Sequence, residues 1–320
     1  MPRPRPSTLL VILAFAAVYV IWGSTYLAIR LAIETLPPFL MAATRFLVAG
    51  LILFAWAGFN GESVWRPFSQ WRKALIIGGL LLLFGNGGVT WAEKYIASSL
   101  AALLVASEPL WVVVLNWIIT RKRPNAKVSL GVLIGLAGVA LLVGDGLRNV
   151  EAGSWINVVG AGVVLVASLG WASGSVYSNR RPIQASTSMA SGMQMIAGGS
   201  LLLVLAIASG DVQKLDLAKA SWVSIGAFFY LLLFGSLVAF TAYSWLLSNV
   251  SPARATTYAY VNPVVAVLLG WLVASEPVTL QMMIAAGVIV SSVALITTFG
   301  SDHVAADSVH DSDCPTHPCA

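Results

Sequence analysis

Two prolines, each directly preceded by a polar residue, are the positions where this sequence is best equipped for chemistry. Glu108 precedes Pro109 and Asn262 precedes Pro263, and both pairs lie inside long apolar stretches. A proline removes a backbone N–H and crowds the carbonyl four residues earlier. Lipid offers no partner to such a carbonyl, so we expect the broken backbone to face protein or a wet cavity. Glu108 and Asn262 are therefore expected to project into one central cavity.

Glu108 is the acid that this argument places at mid-membrane. A low dielectric disfavours the charged form of a carboxyl, and acids inside a membrane are costly and usually functional. Glu108 is accordingly a candidate to take up and lose a proton, or to pair with a cationic ligand. The alternative is a proline kink that only helps packing, with Glu108 hydrogen-bonded to a neighbour.

Composition supports a membrane protein. The 320 residues are 58% hydrophobic and 10% charged, whereas soluble proteins carry about 25% charged residues. Stretches of roughly 20 apolar residues can span a bilayer as helices. The sequence predicts an all-α membrane protein whose ten transmembrane helices cover about 8–29, 38–57, 73–92, 97–120, 128–145, 154–179, 187–208, 222–247, 253–274 and 279–299.

The net charge of +5 is interpreted as a topology signal, not as a sign of nucleic-acid binding. Lys and Arg favour cytoplasmic loops. With the N-terminus inside, most of the 18 Lys and Arg residues fall on the cytoplasmic side. Both termini of this multi-pass membrane protein are therefore predicted to be cytoplasmic.

An internal repeat divides the chain. The run LLLFG occurs at 81–85 and again at 231–235, and Trp22 and Trp171 match at a similar offset. The first unit is 1–147 and the second is 148–300, and the polar tail 301–320 is expected to be disordered and cytoplasmic. Because five helices per unit is an odd number, the second unit must be inverted. Inverted repeats are typical of secondary transporters with a site between the halves.

The repeat places Trp22 opposite Trp171. Two indoles facing each other could hold an apolar or cationic ligand by stacking and cation–π attraction. The alternative is that both rings only fill the core or anchor the helices at the membrane interface.

Three motifs together resemble the drug/metabolite transporter superfamily. They are WGSTY at 22–26, RF at 45–46 and YVNP at 260–263. The chain is most similar to the ten-helix EamA-type family and, within it, to the YedA-like exporters. The resemblance covers nearly all of 8–299. It implies a bacterial inner-membrane exporter of amino acids, related metabolites or toxic compounds.

The resemblance also implies a cavity lined mostly by helices 1, 3, 4, 6, 8 and 9. The residues expected to line it and bind substrate are Trp22, Ser24, Asn86, Trp91, Glu108, Trp171, Ser175, Tyr258 and Asn262. Such relatives often have an uncharged residue before the first proline, so Glu108 is a departure that affects the ligand or the coupling ion.

Arg45 is the other charge within a span. It is expected near the outer boundary, where its long stem can reach the interface, with Glu34 or a backbone carbonyl as partner. A structural or gating role is favoured over ligand contact.

Small residues predict close helix packing. Gly131 and Gly135 in span five, and Gly287 and Ser291 in span ten, are spaced to let backbones approach. Packing within one chain is preferred to dimerisation, so a monomer is favoured over a homodimer.

Other chemistry finds little support. Cys314, His317 and Cys319 in the tail match no strong zinc signature, and no His lies in a span. We expect no enzyme activity, cofactor, metal or nucleic-acid partner. The expected partners are a small-molecule substrate and the bilayer. A passive facilitator or uptake carrier and a non-transporting membrane receptor remain the alternatives to a proton-coupled or otherwise driven exporter.

Overall fold

The described residues of the computed structural model, 7–121, 123–148, 155–250 and 258–300, form helices and no strand. The tail and its His and Cys residues lie outside this part of the chain. The helices are α1 Thr8–Ala32, α2 Pro38–Phe59, α3 Phe68–Ala92, α4 Ser98–Thr120, α5 Ala126–Arg148, α6 Trp155–Arg180, α7 Thr187–Ala208, α8 222–249, α9 Tyr258–Ala274 and α10 Leu280–Gly300.

Seven of these helices, α1 to α4 and α6 to α8, are long and apolar enough to cross a membrane. Apolar stretches also occur in α5, α9 and α10, and they include Ala126–Leu141, Val261–Ala274 and Leu280–Ile296. Large apolar side chains such as Trp56 and Leu133 stand more than half exposed on the outside of the protein. An apolar exterior of this kind is what contact with lipid requires.

The predicted segments agree with the observed helices to within a few residues, apart from the start of α3. The predicted start of span nine, at 253, lies outside the described residues. Helix α3 begins at Phe68, not at 73, because its first turns are helical but polar, with the sequence FSQWRK. Hydropathy detects the lipid-facing part of a helix and misses a polar first turn.

The packing places six helices around a centre. Helix α1 packs against α8 and α9, while α6 packs against α3 and α4, and α4 also contacts α9. Outside this group α2 packs along α7, and α5 packs along α10. Glycines allow the α2–α7 approach: a Cβ at Gly50 would lie 2.8 Å from the backbone N of Ile196.

The two prolines behave differently. Helix α4 is interrupted after Val105, and its second part starts at Glu108 with Pro109 in the first turn. Helix α9 runs without interruption through Pro263. The predicted break at Pro263 is therefore wrong as an interruption of the helix: the missing N–H removes one backbone hydrogen bond, and the helix continues past it.

Three π-helical segments occur among the described residues, at Val18–Trp22, Gly79–Gly87 and Leu231–Ala239. The second and third each span nine residues and each contain the repeated LLLFG. Such wide turns are rare and are frequent at functional sites.

The packing of α5 on α10 confirms one half of the glycine prediction. A Cβ at Gly131 or Gly135 would meet α10, at Ile296 or at Ser292. In α10, however, Gly287 has nothing within 4 Å, and the hydroxyl of Ser292 donates to the Gly131 carbonyl at 2.8 Å. The contact therefore uses Ser292, one position beyond the predicted Ser291, because side chains one residue apart point in directions about 100° apart on a helix.

Candidate functional site

A central cavity, with about 80 Å³ of space for the centre of a water-sized sphere, lies between the helices that the resemblance implied, with α2 added to them. Its lining residues are Trp22, Thr25, Tyr26, Ile29, Arg45, Phe46, Leu82, Gly85, Asn86, Val89, Val105, Glu108, Ala167, Ser168, Trp171, Gly235, Phe240, Tyr258 and Asn262. A smaller void, with about 10 Å³ of such space, is lined in part by Tyr26, Tyr258, Asn262 and Pro263.

Glu108 and Asn262 meet at this cavity, as the sequence predicted. The Tyr258 hydroxyl donates to one Glu108 oxygen, and the other oxygen has no hydrogen-bond partner among the described residues. Asn262 is 4% exposed. In the orientation that satisfies its amide, the nitrogen of Asn262 donates to the carbonyls of Tyr258 at 3.3 Å and Tyr19 at 3.1 Å. One carboxylate oxygen thus remains available to a ligand or a proton.

The break in α4 has its own polar partner. Pro109 frees the carbonyl of Val105, and the hydroxyl of Ser168 on α6 lies 3.5 Å from that oxygen. The Ser107 hydroxyl donates to the Leu104 carbonyl at 2.6 Å. The interrupted backbone therefore faces a neighbouring helix and the cavity, as expected for irregular backbone at membrane depth.

Aromatic rings form a cluster beside Glu108. Trp22 and Trp171 meet edge to face with their centroids 5.5 Å apart, and Trp22 also contacts Tyr243 at 4.8 Å and Tyr258 at 5.3 Å. The indole of Trp171 rests on Gly85, where a Cβ would come within 2.9 Å of the ring. Glycine is needed there because any side chain would displace the indole.

Arg45 lies in the cavity wall and not at the interface. It is 3% exposed, and one of its terminal nitrogens, Nη2, donates to Oδ1 of Asn86 at 2.8 Å, while its guanidinium carbon lies 4.2 Å from the ring centre of Phe46. Glu34 is exposed. The predicted Glu34 partner is therefore wrong, because α2 turns Arg45 inward toward α3.

Three of the expected lining residues lie elsewhere. Ser24 bonds to the Tyr230 hydroxyl at 2.6 Å, and Ser175 lies 3.2 Å from the Tyr243 hydroxyl. Trp91 packs on Tyr95 with ring centres 4.9 Å apart. The structure brings the other six to the cavity: Trp22, Asn86, Glu108, Trp171, Tyr258 and Asn262.

Sequence reasoning missed Thr25, Tyr26 and Ser168. Helical spacing could have found them, since Tyr26 lies four residues after Trp22 and Ser168 three residues before Trp171. No group of three His, Cys, Asp or Glu residues comes together in the part of the chain that the structure describes.

Comparisons with known proteins agree with this architecture. The profile of the EamA-like transporter family matches twice, at residues 9–144 and 158–298. A protein named "Uncharacterized inner membrane transporter YedA", from Escherichia coli strain K12, is 40% identical over 285 residues, which cover 89% of each chain.

More distant similarities cover comparable lengths. "Uncharacterized transporter YoaV" of Bacillus subtilis is 24% identical, over 86% of this chain and 92% of its own. A crystal structure of a 22% identical protein superposes with a TM-score of 0.63 and covers 91% of this chain and 97% of the other. That structural match supports the fold alone.

Proposed function

Because this chain belongs to the EamA-like transporter family, we propose that it is a secondary transporter that exports small metabolites across a bacterial inner membrane by alternating access. The proposed substrates are amino acids or related compounds, with drugs as a further class. The family membership, the apolar helices and the 40% identical relative named as an inner membrane transporter support this proposal.

The observation that carries the proposal is the cavity itself. Its lining includes Glu108, with one unpaired carboxylate oxygen, Arg45, with its Nε unpaired, and an aromatic cluster. Buried polar groups without partners are costly unless a ligand or water satisfies them. A small molecule with an ammonium group, a carboxylate and an apolar body would satisfy all three features.

The proposed architecture is ten spans in two inverted repeats, 1–147 and 148–300. The two family-profile matches support it, and so does the backbone. In the described part of the chain four residues have positive φ, Gly61, Gly210, Arg121 and Ser275. Gly61 and Gly210 are 149 residues apart and Arg121 and Ser275 are 154 apart, the same offsets that align the repeated Trp and Pro residues.

Helix packing supports the same division. The proposed repeat relates α1 to α6, α2 to α7, and so on to α5 and α10. Under this exchange the α1–α8 contact becomes α6–α3 and the α1–α9 contact becomes α6–α4, and both of these contacts are present. The pairs α2–α7, α4–α9 and α5–α10 are unchanged by this exchange. We propose that pairs of helices rock about the fixed central site, as in other inverted-repeat carriers.

Both termini are proposed to be cytoplasmic, from the distribution of Lys and Arg. Export is proposed on the resemblance to exporters, since a pseudosymmetric bundle carries no direction of its own.

A resistance screen followed by flux measurement tests the function. We expect cells that overexpress the protein to tolerate one or more toxic amino-acid analogues or drugs, and vesicles loaded with that compound to show counterflow. A receptor would bind the compound without exchange. A facilitator would show exchange that ignores an imposed proton gradient, and either outcome would replace the proposal.

A further inference from the structure

A second buried acid lies outside the set of cavity residues. Glu93 directly follows Ala92, the last residue of α3, and its side chain is 0% exposed. Neither of its carboxylate oxygens has a hydrogen-bond partner in the described chain. An ionised carboxylate held this way is strongly disfavoured, because burial removes its water and nothing replaces it.

Glu93 lies beyond the cavity lining on α3. Asn86 and Val89 line the cavity, and Glu93 follows them by seven and four residues, which places it on the same helix face. On α1, Tyr26 lines the cavity, and the guanidinium of Arg30, one turn further on, donates to the backbone carbonyl of Glu93. The acid is thus one helical turn past the lining residues of two helices.

Charged and titratable groups surround Glu93 from several elements. Arg30 and Tyr26 of α1, Arg45 of α2 and Glu276 of the segment after α9 interact electrostatically with Glu93. The adjacent Lys94 is exposed. Glu276 is already satisfied, since it accepts hydrogen bonds from the backbone and hydroxyl of Ser98 at 2.8 and 2.7 Å. Neither arginine forms an ion pair with the Glu93 carboxylate within the described residues.

We propose that Glu93 is a proton-binding site, and that its protonation determines which partner Arg45 takes. With Glu93 neutral, Arg45 donates to Asn86 in the cavity wall, as observed. Loss of the proton to water leaves an anion near two guanidinium groups, and Coulomb attraction then draws Arg45 away from Asn86. The two arginines repel metal cations, which leaves the proton as the cation that this site can take.

The consequence for transport rests on the proposed function, but the proton site does not. If Arg45 binds an anionic group of the substrate, protonation of Glu93 frees the guanidinium for that role. This would make Glu93 distinct from Glu108, whose carboxylate bonds to Tyr258.

Infrared difference spectroscopy of the full chain in lipid nanodiscs, titrated with pH, tests the site without substrate or flux. We expect wild type to show the carbonyl stretch of at least one protonated, buried carboxyl that disappears as the pH rises. Glu93→Gln should lose one such component, while Glu34→Gln, at an exposed acid, should match wild type. In Arg45→Gln, the pH at which the Glu93 carbonyl signal is half lost should rise by about one unit, because a neighbouring cation is removed.

A Glu93→Gln spectrum identical to wild type would overturn the proposal, since Glu93 would then bind no proton in the accessible range. If Glu93→Gln fails to fold, Glu93→Asp takes its place, and the component must then shift in frequency. A component that stays unshifted in Glu93→Asp would equally contradict the assignment. Because no transport is measured, neither result bears on whether the protein exports a metabolite.

Discussion

The hydrogen bond between Tyr258 and Glu108 joins α9 to the break in α4, and therefore joins the two proposed repeats at the cavity. It occupies one carboxylate oxygen and leaves the other free. Trp22 contacts Tyr258 and Trp171 at the same place. An acid with a free oxygen beside aromatic faces is a suitable environment for an organic cation.

Replacement of Trp22 tests this role. Trp22→Ala removes a ring from the cavity wall and a hydrogen bond from its Nε1 to the Gly235 carbonyl at 3.3 Å. For the compound identified by the resistance screen, we expect the concentration that half-saturates transport to rise about 5- to 30-fold. Loss of about 1 to 2 kcal/mol of cation–π attraction would give a change of this size.

Trp91→Ala is the matched control, because Trp91 lies outside the cavity and packs on Tyr95. The concentration that half-saturates transport by Trp91→Ala should stay near that of wild type. Equal changes in the two variants would assign Trp22 to packing and not to the ligand.

At this scale the sequence indicated which residue types to examine but not where each side chain points. Repeated Trp and Pro residues identified Trp22, Trp171 and Glu108 correctly as cavity residues. Ser24 was included with them although it lies two positions from Trp22, on another face of α1. The inward direction of Arg45 depends on how α2 is rotated against α3, which a hydropathy pattern does not determine.

At the scale of elements, acids that follow a positive-φ residue bind the starts of helices in the other half. Glu62 follows Gly61 and accepts from the backbone N–H of Ser186 at 2.8 Å, directly before α7. Asp211 follows Gly210 and accepts from the backbone N–H of Phe39 in α2 at 3.0 Å.

Glu276, which follows Ser275, makes the most extensive contact of this kind. It accepts hydrogen bonds from the backbone and hydroxyl groups of both Ser98 and Ser99 at the start of α4. Each such carboxylate satisfies N–H groups that a helix start leaves unpaired and lies at the positive end of the helix dipole. The three contacts therefore link the two proposed halves.

Glu276→Gln should weaken the link to α4. Burial alone would raise the pKa of Glu276, but hydrogen bonds from Ser99 and Ser98 hold that pKa below its usual value. A lowered folded-state pKa contributes stability above the unfolded-state value, and this contribution is lost as the pH falls through the folded-state value.

We therefore expect Glu276→Gln to lower Tm at neutral pH and to reduce the free energy of unfolding by about 1 to 3 kcal/mol. The difference in Tm between the variant and wild type should narrow as the pH falls. Thermal unfolding of the protein in detergent at several pH values measures this, with Glu34→Gln as the exposed control. A gap that stays constant or widens in acid would show that the Glu276 charge does not stabilise α4.

Sequence patterns predicted the helices themselves well, because long apolar runs determine where the chain can cross lipid. They also located the break in α4 at Pro109. They did not predict that α9 continues through Pro263, nor the acid contacts at helix starts. Those features depend on which groups the tertiary packing brings close together.

At the scale of the molecule, the central cavity has walls from both proposed halves. Glu108 and Asn86 come from the first, and Trp171, Tyr258 and Asn262 from the second. If the halves rock against each other, each of these side chains keeps its place at the centre while the openings on the two sides alternate. The sequence repeat indicated this plan through offsets of 149 and 154 residues, and the positive-φ pairs occur at the same offsets.

The most direct test of a central transport site is the pH dependence of counterflow in proteoliposomes for wild type, Glu108→Gln and Glu34→Gln. We expect wild type and Glu34→Gln to share one counterflow rate and one pH profile. Glu108→Gln should lose its pH dependence and at least about tenfold in rate, as removal of a charged contact worth about 1.4 kcal/mol would give. Counterflow by Glu108→Gln at the wild-type rate and with the wild-type pH profile would contradict the account.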